Sequence, residues 1–472
     1  MTPVNIMKRR ILLLALPILF FAVSCEDFTN LAPISERNVE NFYQTDTDFQ
    51  VAINGAYQAL ADRGAYGRSY VLLTEMRSDN TNHGGGDTGL AEEFFRLNTF
   101  TELPTTETLE EAWSGGYDGI ARTNTILSRL ENVTLNNPDL QTRIEGEALF
   151  IRSLFYYNLA IIFGNIPLQL EEVTSPEIEI NQVSADVIYE QIASDLERAQ
   201  DLLDPAYTES ENIGRVTSGA ANTLLGLVHL TLGNNAQAET ALRRVVNSGQ
   251  YDLMPNYSDL WGPNVANTIE SVFEIQYSAG GTGTGSSFTE FYTPFGLASG
   301  VGGGNAPQNI PAEFIDIFDD ENDDRLWGGT LDTTDTGGLY SKKFESQPSA
   351  QFDADNNFPV FRYADVLLML AEAIGESPEA YNLINEVRER ANAAPIGPAT
   401  PGTFEEKLFH ERQIEFAHEN KRWADLKRWG EQVTRQVMAD FHGIAPSDVR
   451  LLHLIPQREI DVAPDRMTQN PL

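Results

Sequence analysis

The chain has 472 residues, 41% of them hydrophobic, and a formal charge of −37. That acid excess excludes a surface that binds nucleic acid or anionic lipid by charge; it suits a solvated face in salty water, where repulsion is screened. A single cysteine excludes an internal disulfide, and the apolar content suffices for a large core or two lobes.

Lys8, Arg9 and Arg10 precede a 13-residue apolar run, Ile11 to Val23. That is the length of a signal peptide and short of the roughly 20 residues that span a bilayer. The run leads into Ala22-Val23-Ser24-Cys25, which resembles the lipobox of bacterial lipoproteins. The resemblance implies that residues 1–24 are removed and that Cys25 becomes a lipid-bearing N-terminus. Several acyl chains, at about 0.8 kcal/mol per buried CH2, hold a soluble body firmly at a membrane.

Residues 26–38 read as a polar stalk. Phe49, Ile53, Ala56, Tyr57 and Leu60 give Asp46–Ala61 a helical apolar stripe. Gly64, Gly67 and the Gly84–Gly86 run then predict loops, which carry Tyr66, Tyr70, Asn80, Asn82 and His83. These loops read either as solvated turns or as hydrogen-bonding ligand loops. Leu109–Leu130 is predicted helical. In the next segment Ala148, Ile151, Phe155, Leu159 and Ile162 keep helical spacing, and Leu154, Tyr156, Tyr157 and Ile161 cover the other faces. Such a helix is buried nearly all round; Gly164 stops it and Pro167 prevents its resumption. Ser184–Leu203 is a further amphipathic helix.

Two helices, about Gly219–Leu232 and Ala236–Asn247, fold back on each other across Gly233, Asn234 and Asn235. Leu225-Gly226 and Ala238 with Leu242 follow tetratricopeptide spacing. Such a hairpin cannot bury its stripe alone, so it predicts others. Leu367 with Ala380 and Ile384 repeats the spacing of Leu225 with Ala238 and Leu242.

Residues 254–360 lack helical pattern. Gly280–Ser287 and Gly300–Gly304 are loops, and the first lacks the Lys-Ser/Thr of a phosphate loop. The acidic cluster Asp319–Asp324 and the Asp353–Phe358 stretch both lack the glycine of a calcium loop, so no metal site is assigned. Phe288, Phe291, Tyr292, Phe295, Trp327 and Tyr340 stand in polar, Gly-rich company. An aromatic face suits the C–H face of a sugar, and amides or Arg325 suit its hydroxyls. Trp327 and Tyr292 lead the candidates, with Phe291, Tyr340 and Arg325 and the early Tyr66, Tyr70, Asn80, Asn82 and His83. For each aromatic the competing role is core packing.

After residue 360 the helical pattern returns. Ser377 caps a helix begun by Pro378, and Thr403 with Glu406 forms a capping box. No H-E-x-x-H or G-x-S-x-G occurs, and no cysteine is placed for nucleophilic work.

Several segments together resemble the SusD/RagB family of nutrient-binding outer-membrane lipoproteins of Bacteroidetes. They are Glu147-Ala148 through Arg152, Tyr156-Tyr157 and Phe163-Gly164; Gly214-Arg215; Arg362-Tyr363-Ala364-Asp365; Arg422-Trp423-Ala424-Asp425-Leu426-Lys427-Arg428-Trp429; and Leu454 to Ile460. The resemblance implies a mainly α fold. Tetratricopeptide-like helical hairpins would form a right-handed superhelical scaffold, with a loop-rich insertion lobe containing short strands. It implies a signal peptide at 1–24, helical regions at 25–253 and 361–472, and a ligand lobe at 254–360. It implies a lipid-anchored protein at the outer membrane, facing the exterior. Such a protein binds an oligosaccharide or other nutrient without cofactor or bond chemistry and delivers it to a SusC-like TonB-dependent transporter. An all-α glycoside hydrolase and a peptide-binding tetratricopeptide adaptor are the alternatives.

Overall fold

Apolar side chains on every face of Pro138–Phe163 leave that helix nowhere to go but the centre. From Ile144 onward nearly every residue is buried. It is long and apolar enough to cross a membrane, with a mean hydropathy of 1.2, yet that stretch is wholly buried in protein, which makes it a core helix. The computed structural model describes residues 42–83, 92–175, 179–293, 309–318, 320–334, 337–346, 348 and 350–471. Cys25 and its apolar run, Gly84–Gly86, Phe295, Gly300–Gly304 and Asp319 lie outside the described residues.

The helices in order are α1 Asp46–Ala61, α2 Ser69–Glu75, α3 Glu92–Asn98, α4 Glu107–Leu130, α5 Pro138–Phe163, α6 Ala185–Leu202, α7 Ser218–Thr231 and α8 Asn235–Ser248. There follow α9 Phe288–Tyr292, α10 Tyr363–Ile374, α11 Pro378–Arg390, α12 Phe404–Glu415, α13 Arg422–Trp429, α14 Glu431–His442 and α15 Gln457–Val462. Helix takes 54% of the described residues and strand 6%, so the fold is mainly α. The strands form three separate antiparallel pairs: β1 Ile166–Pro167 with β2 Gln182–Val183, β3 Ser271–Ile275 with β6 Phe358–Arg362, and β4 Leu331–Thr333 with β5 Leu339–Ser341.

Close approach of helices is bought with small residues. A Cβ on Gly119 of α4 would lie 2.1 Å from the Phe155 ring of α5, and one on Gly226 of α7 would lie 2.6 Å from Leu242 of α8. The hairpin α7–α8 ends at Gly249 in the left-handed conformation. It packs against α10, which continues into α11. The two halves of the sequence repeat therefore meet in space although about a hundred residues separate them. Leu225, Ala238, Leu242, Leu367, Ala380 and Ile384 are all buried, Leu225 the most exposed at 3%. Each large aliphatic side chain so placed contributes about 1.5–3 kcal/mol. The caps behave as read: the Thr403 hydroxyl accepts from the Glu406 N–H, and the Glu406 carboxylate accepts from the Thr403 N–H.

One large core runs through the helices. A small satellite core of Ile310, Phe314, Leu331 and Ala417 lies under the insertion, with Ile315, Ile317, Phe318, Leu326 and Leu339 packed on it.

Candidate functional site

Trp327 is 50% exposed, while Arg325 and Thr330 on either side of it are 0% exposed. An apolar indole held out to solvent by a buried stem calls for an account. The stem is a single turn, Leu326–Thr330. Gly329 sits so close beneath Trp261 that a Cβ there would lie 2.4 Å from its Cδ1. The Tyr257 hydroxyl shares a hydrogen with Thr330 Oγ1 at 3.3 Å and donates to the Glu415 carbonyl at 3.2 Å. Leu326 packs on the satellite core. The turn is thereby fixed before any ligand arrives.

Arg325 ties the turn to a buried ion network. It donates to Asp323 (2.6 Å), Glu411 (2.5 Å) and Glu415 (3.1 Å). Arg362 at the end of β6 joins Glu270, Glu415 and Glu419. Arg390 bridges Glu270 and Glu415, Arg388 reaches Glu411, and Lys343 reaches Glu419. Five cations thus meet five carboxylates, and none of the ten side chains is more than 6% exposed. Burial alone would raise the Glu415 carboxyl, but Arg390, Arg362 and Arg325 outweigh it and hold it below its usual range. Burial would likewise lower Arg325, but Glu411, Asp323 and Glu415 hold it well above its ordinary value. Tyr257 and Trp261 roof the network, with Arg390 5.2 Å over Tyr257 and Lys343 4.6 Å over Trp261.

The same satellite core carries a second segment to the surface. Asn309 precedes Ile310 and pairs with Asn82 through both backbone bonds, 2.7 and 2.9 Å, and an amide bond of 2.7 Å. The His83 N–H donates to Asn98 at 3.2 Å, and its ring meets Phe94 at 5.9 Å. The cluster thus holds both segments, through Leu326 beside Trp327 and through Ile310 beside the Asn309–Asn82 pair. Nothing in the sequence signals the Asn309 pairing, since it joins residues 227 apart.

The structure places the remaining sequence candidates in the interior. Tyr292 is 1% exposed, lies on Phe344 at 5.3 Å and donates to the His418 carbonyl. Phe291 is buried against Phe288. Tyr340 is buried in β5, and burial pushes its hydroxyl up to about 12. The Tyr66 and Tyr70 rings meet at 4.8 Å, tilted by 57°, and line a small cleft of about 30 Å3; Tyr66 also donates to Asn158. Asn80 donates to Glu75 and accepts from Gln413 inside the protein. Arg325 is spent in the ion network.

Comparison with known proteins agrees with this architecture. A model described as the SusD family matches residues 328–449, and one described as starch-binding associating with outer membrane matches residues 35–230. SusD-like protein P2 of Formosa agariphila is 28% identical over 464 aligned residues, taking in 87% of this chain and 89% of the relative. A solved laminarin-binding SusD-like protein superposes with a TM-score of 0.78 at 25% identity, over 91% of this chain and 100% of the other. Surface glycan-binding protein A from Bacteroides fluxus gives 0.79 at 25% identity, over 91% and 99%.

Proposed function

This chain belongs to the SusD/RagB family, and on that premise we propose that it captures a glycan at the outer membrane and hands it on for import. The observation that carries the reading is Trp327, an exposed indole on a turn pinned by Gly329, Thr330 and Arg325. A sugar stacks its C–H face on such a ring, and polar groups beside it bond the hydroxyls of its rim. The relatives whose names state laminarin or surface-glycan binding favour a polysaccharide fragment. A ring stack with a few hydrogen bonds gives a weak site, and a sub-millimolar constant needs only about 4–5 kcal/mol.

In this reading Cys25 carries the lipid, residues 254–360 supply the ligand lobe, and the helical side packs on a SusC-like TonB-dependent transporter. The protein works by binding and release. The carboxylates beneath Trp327 are engaged by arginines and lysine, which favours capture over hydrolysis. Purification of the lipidated protein from detergent-solubilised membranes, followed by mass spectrometry, tests the assembly. A stoichiometric β-barrel transporter is expected. A body that purifies alone, or that cleaves the glycans offered to it, contradicts the reading.

A further inference from the structure

A second cleft, of about 510 Å3, opens between α12, α13, α14 and the connection Ile396–Gly402. That is room for a sugar unit or two. Helix α12 lines it with Glu406, Lys407, His410 and Gln413, and α13 contributes Arg422 and Trp429. The Trp429 ring lies parallel to the buried Phe409, with centroids 4.7 Å apart and planes 1° apart. One indole face is thus fixed on the core, and the residue also lines the cleft. The facing wall is stiff: Pro395, Pro398 and Pro401 fix their φ angles, the Gly397 N–H donates to Thr400 Oγ1 at 3.1 Å, and Asn385 exchanges two hydrogen bonds with Ile396.

Two charge pairs in the cleft are closed, while the exposed Glu406 and the buried Lys407 each lack an ion-pair partner among the described residues. Asp79 accepts two bonds from Arg422, at 2.7 and 2.8 Å, and one from Gln413 at 3.2 Å. Glu406 accepts from the Thr403 N–H, and Arg388 is paired with Glu411. Lys407 has no carboxylate partner among the described residues. It is 8% exposed, and its ammonium donates to the neutral Gly397 carbonyl at 3.0 Å and the Tyr381 hydroxyl at 3.4 Å. Its charge also lies 5.6 Å over the Tyr381 ring; an ammonium has three donors, so one remains, with no carboxylate to neutralise it. In a chain of net charge −37, a nearly buried lysine without a counter-ion marks a place for an anion.

We propose that this cleft is a second subsite, selective for a sugar that carries a carboxylate or a sulfate ester. Its ring stacks on Trp429 and its anionic group lies on Lys407. The saccharide part rests on the glycan-capture reading above; the anionic part rests on Lys407. The test is calorimetric titration of the full protein with neutral laminarin oligosaccharides, oligouronates, carboxyl-reduced oligouronates and sulfated oligosaccharides. At least one acidic oligomer should bind more tightly than the neutral series, and its affinity should fall with salt. Carboxyl reduction of a bound oligouronate should abolish binding, which distinguishes a carboxylate ligand from a sulfate ester. Lys407→Gln, which keeps donors for Gly397 and Tyr381, should weaken the acidic ligand ten-fold or more while neutral oligomers bind it as they bind the wild type. Equal binding of an acidic oligomer and its uncharged counterpart overturns the proposal. So does an intact Lys407→Gln variant with wild-type affinity. Neutral binding without acidic binding would sink the proposal alone; no glycan binding of any kind would sink the capture reading with it.

Discussion

Replacing Glu415 with Gln removes one of five buried carboxylates that balance five cations. The Glu415 carboxylate receives Arg325 at 3.1 Å, Arg362 at 2.9 Å and Arg390 at 2.5 Å. An amide cannot accept from all three, and its own N–H bonds would face guanidinium donors. The protein is left with a net buried cation, which costs about 3–5 kcal/mol. Urea unfolding, followed by circular dichroism, reads that as a large fall in midpoint with little change in slope. Adding Arg390→Gln restores neutrality, so the double variant should be more stable than the two single losses summed predict, by about 1 kcal/mol or more. A Glu415→Gln loss within about 0.5 kcal/mol, the range of an unremarkable surface change, would refute the picture of a dry, charge-balanced network. Because Arg325 belongs to both the network and the Trp327 turn, the variant should also weaken glycan binding.

Other consequences follow from single contacts. Gly329→Ala should cost about 1–3 kcal/mol and lower glycan affinity, since its Cβ meets Trp261; unchanged melting and affinity would contradict the pinned turn. Gly119→Ala drives a methyl into Phe155 and should cost a similar amount, read in the same urea assay, without touching the ligand site. Burial would raise the Glu102 carboxyl, but Arg77 and His453 hold it down to about 2. Its folded value lies below the ordinary 4.5, so its contribution of about 3 kcal/mol is present above pH 4.5 and lost as pH falls toward 2. The stability gap between wild type and Glu102→Gln should therefore narrow from pH 7 to pH 3; a constant gap contradicts the shift.

The helices were legible because their signals are local. The stripe and caps of Asp46–Ala61, the all-round apolar run before Gly164, and the hairpin at Gly233 each lie within one segment, and the helices begin and end within two or three residues of the reading. For the proposed site the sequence was less informative, since it did not separate the exposed aromatic from the buried ones. Trp327, Tyr292, Phe291 and Tyr340 look alike in sequence, each an aromatic in Gly-rich or polar company. What separates them is whether a distant partner covers them: Phe344 and His418 cover Tyr292, whereas Trp327 is carried outward by a turn anchored on residues 257, 261 and 415. The ion network was hidden for the same reason. Glu411 and Glu415 are four apart on one helix, and nothing local shows that Arg325, Arg362 and Arg390 approach them from other segments.

The claim that Trp327 is the capture surface is tested most directly by titrating wild type and Trp327→Ala with a panel of neutral oligosaccharides that includes laminarin fragments, alongside their thermal melts. The account predicts that binding is lost in the variant while melting moves by no more than about 0.5 kcal/mol of stability, as for an exposed side chain. Undiminished binding by a well-folded Trp327→Ala protein would contradict it.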